Sequence, residues 1–168
     1  GIGGYCELRN LYTRSELFGE RLSPNGQEPR RYHIGQDIWG KAGTPVFSFA
    51  DGELHSQAFN RQFGDYGATL IVQHLIEDCS FYLLYGHVSL ADLASLKPGQ
   101  RINKGDCIAH FGQIEENGGW PPHLHFQIIT DLEGANGDYP GVCKFSERTH
   151  YLKNCPDPDL ILQLNRYL

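Results

Sequence analysis

The chain has 168 residues, 14 basic and 20 acidic, for a net charge of −6. That length fits one domain with a core that needs no staples. The acidic balance, with no basic run beyond Arg30-Arg31, argues against nucleic acid or an anionic membrane as a partner, and no apolar run approaches membrane-spanning length.

Twenty glycines and nine prolines mean many turns and favour an all-β architecture. The five cysteines (Cys6, Cys79, Cys107, Cys143, Cys155) are odd in number and include no Cys-x-x-Cys. They do not read as a disulfide framework. Cys79 and Cys107 flank strand-like runs and are expected to be buried thiols. These features point to a reducing, cytoplasmic setting. The chain opens at Gly1 with no signal-like segment; a removed signal would instead make it periplasmic or cell-surface.

In chain order, residues 1–31 read as an irregular lead-in packed on the core. Arg14-Ser15-Glu16-Leu17-Phe18 suits one helical turn and Ser23-Pro24-Asn25-Gly26 a loop, while Glu28, Arg30 and Arg31 suit a solvated face. Residues 32–130 form the expected β core. It opens with His33-Ile34-Gly35-Gln36-Asp37. A straight strand would hold the His and Asp about 13 Å apart. They converge only if the chain bends between them, which Gly35 permits; otherwise they are a strand His and a turn Asp.

Residues 46–50 alternate as a short strand ended by Asp51-Gly52, with residues 53–59 returning as its hairpin partner and His55 on the surface. Residues 68–75 are a β-branched strand; His74, near its end, reads as satisfied or exposed. Residues 81–88 form an apolar central strand in which Gly86 admits another backbone beside His87. Residues 89–96 suit a short helix. Residues 101–112 read as strand, turn, strand, with His110 structural. The loop at 113–119 leads to the next strand, with Glu115 and Glu116 solvated or touching substrate.

After Trp120-Pro121-Pro122, the run His123-Leu124-His125-Phe126-Gln127-Ile128-Ile129 reads as a strand. Side chains alternate across it, so His123 and His125 share one face while Leu124, Phe126 and Ile128 face the core. The pair suits one metal ligand beside one imidazole that does chemistry unligated, or else two histidines on a solvated face. Residues 131–168 form an excursion of the same domain ending in a short helix, with Asp157 as N-cap, Pro158 first and Asp159 at the positive dipole end.

A set of three His/Asp ligands with an open fourth position is a catalytic zinc site. Cysteine is absent from these motifs, and so is His-Glu-x-x-His, so a general base would have to be a histidine.

His33-Ile34-Gly35-Gln36-Asp37, Tyr85-Gly86-His87 and His123-Leu124-His125-Phe126 resemble, in order, the three signature motifs of the lysostaphin-type zinc endopeptidases. The intervening Gly43-Thr44-Pro45-Val46, Asp51-Gly52, Tyr66-Gly67, Pro98-Gly99-Gln100 and Lys104-Gly105-Asp106 match that family's turns. The resemblance, over residues 33–129, implies an antiparallel β-sheet sandwich of the duplicated hybrid motif type, with a groove across the sheet. It also implies Zn2+ held by His33, Asp37 and His125. His87 and His123 would be the unligated catalytic pair, activating water and stabilising the oxyanion. The implied substrate is a peptide bond in peptidoglycan or a related short peptide.

The approach Glu116-Asn117-Gly118-Gly119-Trp120-Pro121-Pro122 departs from the family's usual Gly/Ser/Thr-rich turn. With Gly137-Asp138-Tyr139-Pro140-Gly141 and Cys155-Pro156-Asp157-Pro158, it resembles a subgroup joined to phosphotransferase and class III aminotransferase domains, which would then be partners. Two further expectations follow: a zinc hydrolase of a small cytoplasmic amide or phosphorylated metabolite, and a non-catalytic zinc-binding module.

Overall fold

A computed structural model describes residues 1–19 and 28–167; the Ser23-Pro24-Asn25-Gly26 stretch lies outside them. The strands are β1 (Ile2–Gly3), β2 (Tyr32–His33), β3 (Gln36–Trp39), β4 (Pro45–Phe47), β5 (Gly52–Asn60), β6 (Gly67–Ile76), β7 (Cys79–Val88), β8 (Arg101–Ile102), β9 (Cys107–His110), β10 (His123–Ile129) and β11 (Val142–Cys143). The helices are α1 (Leu90–Ser95), α2 (Arg148–Asn154) and α3 (Asp159–Leu162). Seven strands form one antiparallel sheet in the order β1-β3-β10-β7-β6-β5-β8, and two small pairs, β11-β2 and β4-β9, flank it.

The sheet buries both faces, each for a reason legible in the alternation of its strands. On one face Leu70, Val72, Leu83, Tyr85, Leu124, Phe126 and Ile128 pack with Val46, Ile108, Ala109 and Phe111 of the β4-β9 layer, and with Ile161 and Leu162 of α3. This is the sandwich core. The opposite face carries Ile71, Leu84 and Ile129, covered by Leu132, Tyr139, Cys143 and Cys155 from the C-terminal excursion. β10 is buried along its whole length, so the solvated-face alternative for its histidines is excluded.

Several local expectations are corrected. β4 pairs with β9, and β5 with β6 and β8, so residues 46–50 and 53–59 are not hairpin partners. Asp51-Gly52 looks like a hairpin turn, but long-range pairing decides. The strand, turn, strand order of residues 101–112 is present, with β8 paired to β5 and β9 to β4. The lead-in is less irregular than its sequence suggests: β1 extends the sheet edge beside β3, and residues 10–14 and 16–18 form 3-10 turns. Cys79 and Cys107 are exposed, because one sits beside the β6–β7 turn and the other at the start of an outer strand; Cys143 and Cys155 are the buried thiols. His55 is half-buried, while His74 is fully buried. The His74 ring bonds to the Asp51 carbonyl through Nδ1, and its Nε2 has no partner among the described residues.

Candidate metal centre

Three adjacent strands of the large sheet, with β2 beside them, deliver the site. β10 runs between β3 and β7, and His125 stands opposite both Asp37 and Gly86. His33 ends β2, and the chain then bends through Ile34-Gly35 into β3. A Cβ at position 35 would lie 2.5 Å from the His125 ring, so the bend needs glycine. As a result His33 Nε2 lies 3.2 Å from Asp37 Oδ1 and 3.0 Å from His125 Nδ1, and that Nδ1 lies 3.1 Å from Asp37 Oδ1. All three side chains are buried.

The outer ring nitrogens fix the tautomers. His33 Nδ1–H donates to the Gly4 carbonyl at 3.0 Å, and His125 Nε2–H donates to Gln127 Oε1 at 2.9 Å. Gln127 is itself held, donating to the Pro140 carbonyl at 3.1 Å and to Cys155 Sγ at 3.3 Å. With both outer nitrogens protonated, the inner nitrogens turn two lone pairs toward the same point as a carboxylate oxygen. Three converging lone pairs without a proton among them fit a cation. A tetrahedral zinc site with bonds of roughly 2.0–2.3 Å would separate its ligand atoms by about 3.3 Å, close to these spacings. Outer hydrogen bonds of this kind orient metal ligands.

Arg9 closes the other side of Asp37. Its Nη1 donates to Asp37 Oδ2 at 2.5 Å, Nη2 to the Gly4 carbonyl at 3.2 Å and Nε to Glu7 at 3.1 Å. Asp37 thus points Oδ1 at the imidazoles and keeps Oδ2 on the guanidinium. Burial alone would raise this carboxyl; where His33 and His125 carry a proton on their inner nitrogens, those contacts outweigh burial and hold the group well below the usual carboxylate range.

His87 and His123 stand beside this group. Their ring centroids are 4.2 Å apart, and Trp39 stacks on His123 at 4.2 Å. His87 Nδ1–H donates to the Asn117 carbonyl at 2.8 Å and His123 Nδ1–H to the Pro121 carbonyl at 2.7 Å. Both rings therefore keep Nε2 free, and that of His123 is 4.0 Å from Asp37 Oδ1. Burial lowers both imidazoles from their ordinary value, His87 the more. At neutral pH they are proton acceptors.

A β-bulge aims His87. Ala68 and Leu70 of β6 pair with Val88 and Tyr85, so Gly86 and His87 together face the single residue Thr69. His87 has φ +62°, a left-handed conformation that costs about 1–2 kcal/mol for a residue with a Cβ. Gly86 is required too, since a Cβ there would meet the Tyr66 ring at 2.5 Å.

The five expected residues therefore converge, lining or underlying a cleft of about 450 Å³ walled by Tyr12, Phe18, Trp39, Tyr66 and Trp120. Glu115 lies in a separate cleft, and Glu116 caps the backbone N–H groups of Leu90 and Gln113. His55, His74 and His110 lie elsewhere. Sequence reasoning missed Arg9, Asn117 and Gln127. Gln127 alone carried a signal: it shares strand parity with His123 and His125 in an otherwise apolar run.

Comparison with known proteins bears on the family and the fold. The sequence profile of Peptidase family M23 matches residues 31–138. The DD-carboxypeptidase/endopeptidase Mpg of Neisseria meningitidis is 31% identical over 135 residues, 80% of this chain and 28% of that protein. The peptidoglycan DD-endopeptidase ShyC of Vibrio cholerae is 26% identical over 133 residues, 74% of this chain and 28% of that protein. This chain thus spans less than a third of these relatives. The catalytic domain of lysostaphin from Staphylococcus simulans shares the fold, with a TM-score of 0.56 at 20% identity, covering 97% of this chain and 92% of that one.

Proposed function

Because the chain belongs to peptidase family M23, a family of metallopeptidases, we propose that it is a zinc-dependent hydrolase of a peptide bond in peptidoglycan or a related short peptide. In this reading His33, Asp37 and His125 hold the zinc, and His87 and His123 act on the substrate. One observation carries it: three lone pairs converge on one point, and two further imidazoles with free Nε2 atoms flank it. A zinc ion supplies Lewis acidity there, polarising a carbonyl and acidifying water. The protein's own part follows from its tautomers. A neutral Nε2 of His123 or His87 accepts the proton of the attacking water, and the resulting imidazolium hydrogen-bonds the developing oxyanion and then returns the proton to the leaving amine. Tyr66, held protonated by burial, lines the same cleft.

The names of the two curated relatives support a peptide substrate with D-residues at the scissile bond. A second reading is a small cytoplasmic amide or phosphorylated metabolite, in the manner of the subgroup joined to phosphotransferase and aminotransferase domains. Its support is the packing of Tyr12 and Phe18 with Trp120 and Val142, which gives the cleft an apolar wall that a small substrate could fill.

The test is metal content together with hydrolysis of defined muropeptides and short amides. About one zinc per chain is expected. His125→Ala or Asp37→Ala should lose metal, while His123→Ala should keep metal and lose turnover. A His123→Ala protein with full activity would remove that residue from the mechanism; wild-type protein that binds no zinc would remove the reading altogether.

A further inference from the structure

A second cluster of chemically competent side chains lies away from the cleft, where α1 meets β9. Asp92 of α1 holds His110 twice: Oδ2 accepts from the His110 backbone N–H at 2.6 Å, and Oδ1 accepts from ring Nδ1–H at 3.0 Å. The double contact fixes the ring and leaves Nε2 as the bare nitrogen. That Nε2 lies 3.7 Å from Sγ of Cys107, within hydrogen-bonding range for sulfur, and the same thiol reaches the Ala109 carbonyl at 3.6 Å. The Asp92 side chain is 15% exposed and the ring 43% exposed, while Cys107 itself faces solvent. The three occur in working order: a largely covered carboxylate orients an imidazole, whose free nitrogen faces a thiol that solutes can reach.

Three of the other four cysteines make the contrast; Cys6 is half-buried, with Arg148 Nε 3.3 Å from its Sγ. Burial pushes the Cys143 thiol up to about 11 and the Cys155 thiol up to about 12, which leaves both inert at neutral pH. Cys79 is exposed like Cys107 but has no imidazole partner among the described residues.

We infer that Cys107 is a reactive thiol, activated by His110 and Asp92, that exchanges with small disulfides. His110 Nε2 takes the proton from Sγ. The thiolate attacks one sulfur of the disulfide, a new S–S bond forms to Cys107, and the original S–S bond breaks. The departing thiolate collects the proton from the imidazolium and leaves as a thiol. Cys107 is oxidised and half of the disulfide is reduced, so no further oxidant enters. The open position of the sulfur suits such a partner, because exchange needs only an in-line approach to one sulfur.

The experiment treats the whole chain with excess glutathione disulfide at pH 7 and follows each cysteine by peptide mass mapping. Cys107 should be modified about tenfold faster than Cys79 in the same sample. His110→Asn should bring Cys107 down to the Cys79 rate while Cys79 is unchanged. Cys143 and Cys155 report on folding within the same spectra, since they react only if the core opens. Equal rates for Cys107 and Cys79 in the wild-type chain overturn the inference without reference to any variant. So does a Cys107 rate that His110→Asn, or a folded His110→Gln, leaves unaltered.

Discussion

Replacing Arg9 by Leu should destabilise the metal-free protein more than any surface change. The Arg9 side chain is 9% exposed and that of Asp37 5%, so water screens their contact little. Without the guanidinium, Asp37 Oδ2 is buried beside no positive partner, although Oδ1 keeps the imidazoles. Breaking a buried pair from one side costs about 3–5 kcal/mol. The half-exposed Glu7 contact adds little, so the loss is about 3–5 kcal/mol. For a domain of this size that lowers Tm by roughly 6–20 °C. Zinc restores a positive charge at the same carboxylate. It should therefore raise Tm more in Arg9→Leu than in the wild type. Arg9→Lys should recover part of the loss, because an ammonium restores charge without the fork that also reaches Gly4. Thermal unfolding of the four metal-free and zinc-loaded samples of wild type and Arg9→Leu measures this. A metal-free Arg9→Leu protein melting within a degree or so of wild type, or an equal zinc shift in both, would refute the reasoning.

Gln127→Ala frees His125 Nε2 from its acceptor and should weaken zinc binding by about 10–100-fold, read by chelator competition. Gly35→Ala places a methyl 2.5 Å from the His125 ring, so zinc binding should fail even if the sheet persists by circular dichroism. Burial between Phe49 and Phe81 lowers the His74 imidazole from its ordinary 6.5. The unfolded chain then binds more protons than the folded one below that value, so stability falls as pH drops from 6.5, by up to about 1.4 kcal/mol per pH unit from this group. His74→Phe should flatten that part of the stability–pH curve; denaturant midpoints at pH 5, 6 and 7 decide.

The five candidate histidine and aspartate positions were legible through three short motifs that resemble a family's signatures, with strand geometry as a second support. Strand parity paired His123 with His125, and Gly35 announced the bend that joins His33 to Asp37. Arg9 was not legible. It lies 24 residues before His33, in a polar stretch with no periodicity, and nothing local says that its charge is buried. Only the need of Asp37 for a counter-charge could have called for it. The bulge at Gly86-His87 was half visible: the glycine signalled close approach, but the left-handed turn of His87 depends on the pairing of β6. The partners of β4 and β5 were hidden because adjacent runs with Asp-Gly between them look like a hairpin, and long-range contacts outweigh that local signal.

β10 is hydrogen-bonded on both sides, to β3 and to β7, and this governs how the site can fail. A slip of one residue would put Leu124 and Phe126 where the imidazoles are and expose neither set gradually. Amide hydrogens from Leu124 to Ile128 should be among the slowest in the molecule to exchange with deuterium, opening only when the whole sheet does. His125 is therefore held where local fraying does not reach. Loss of a bound ion by fraying would have to begin at His33, which stands on the two-residue strand β2 outside the large sheet.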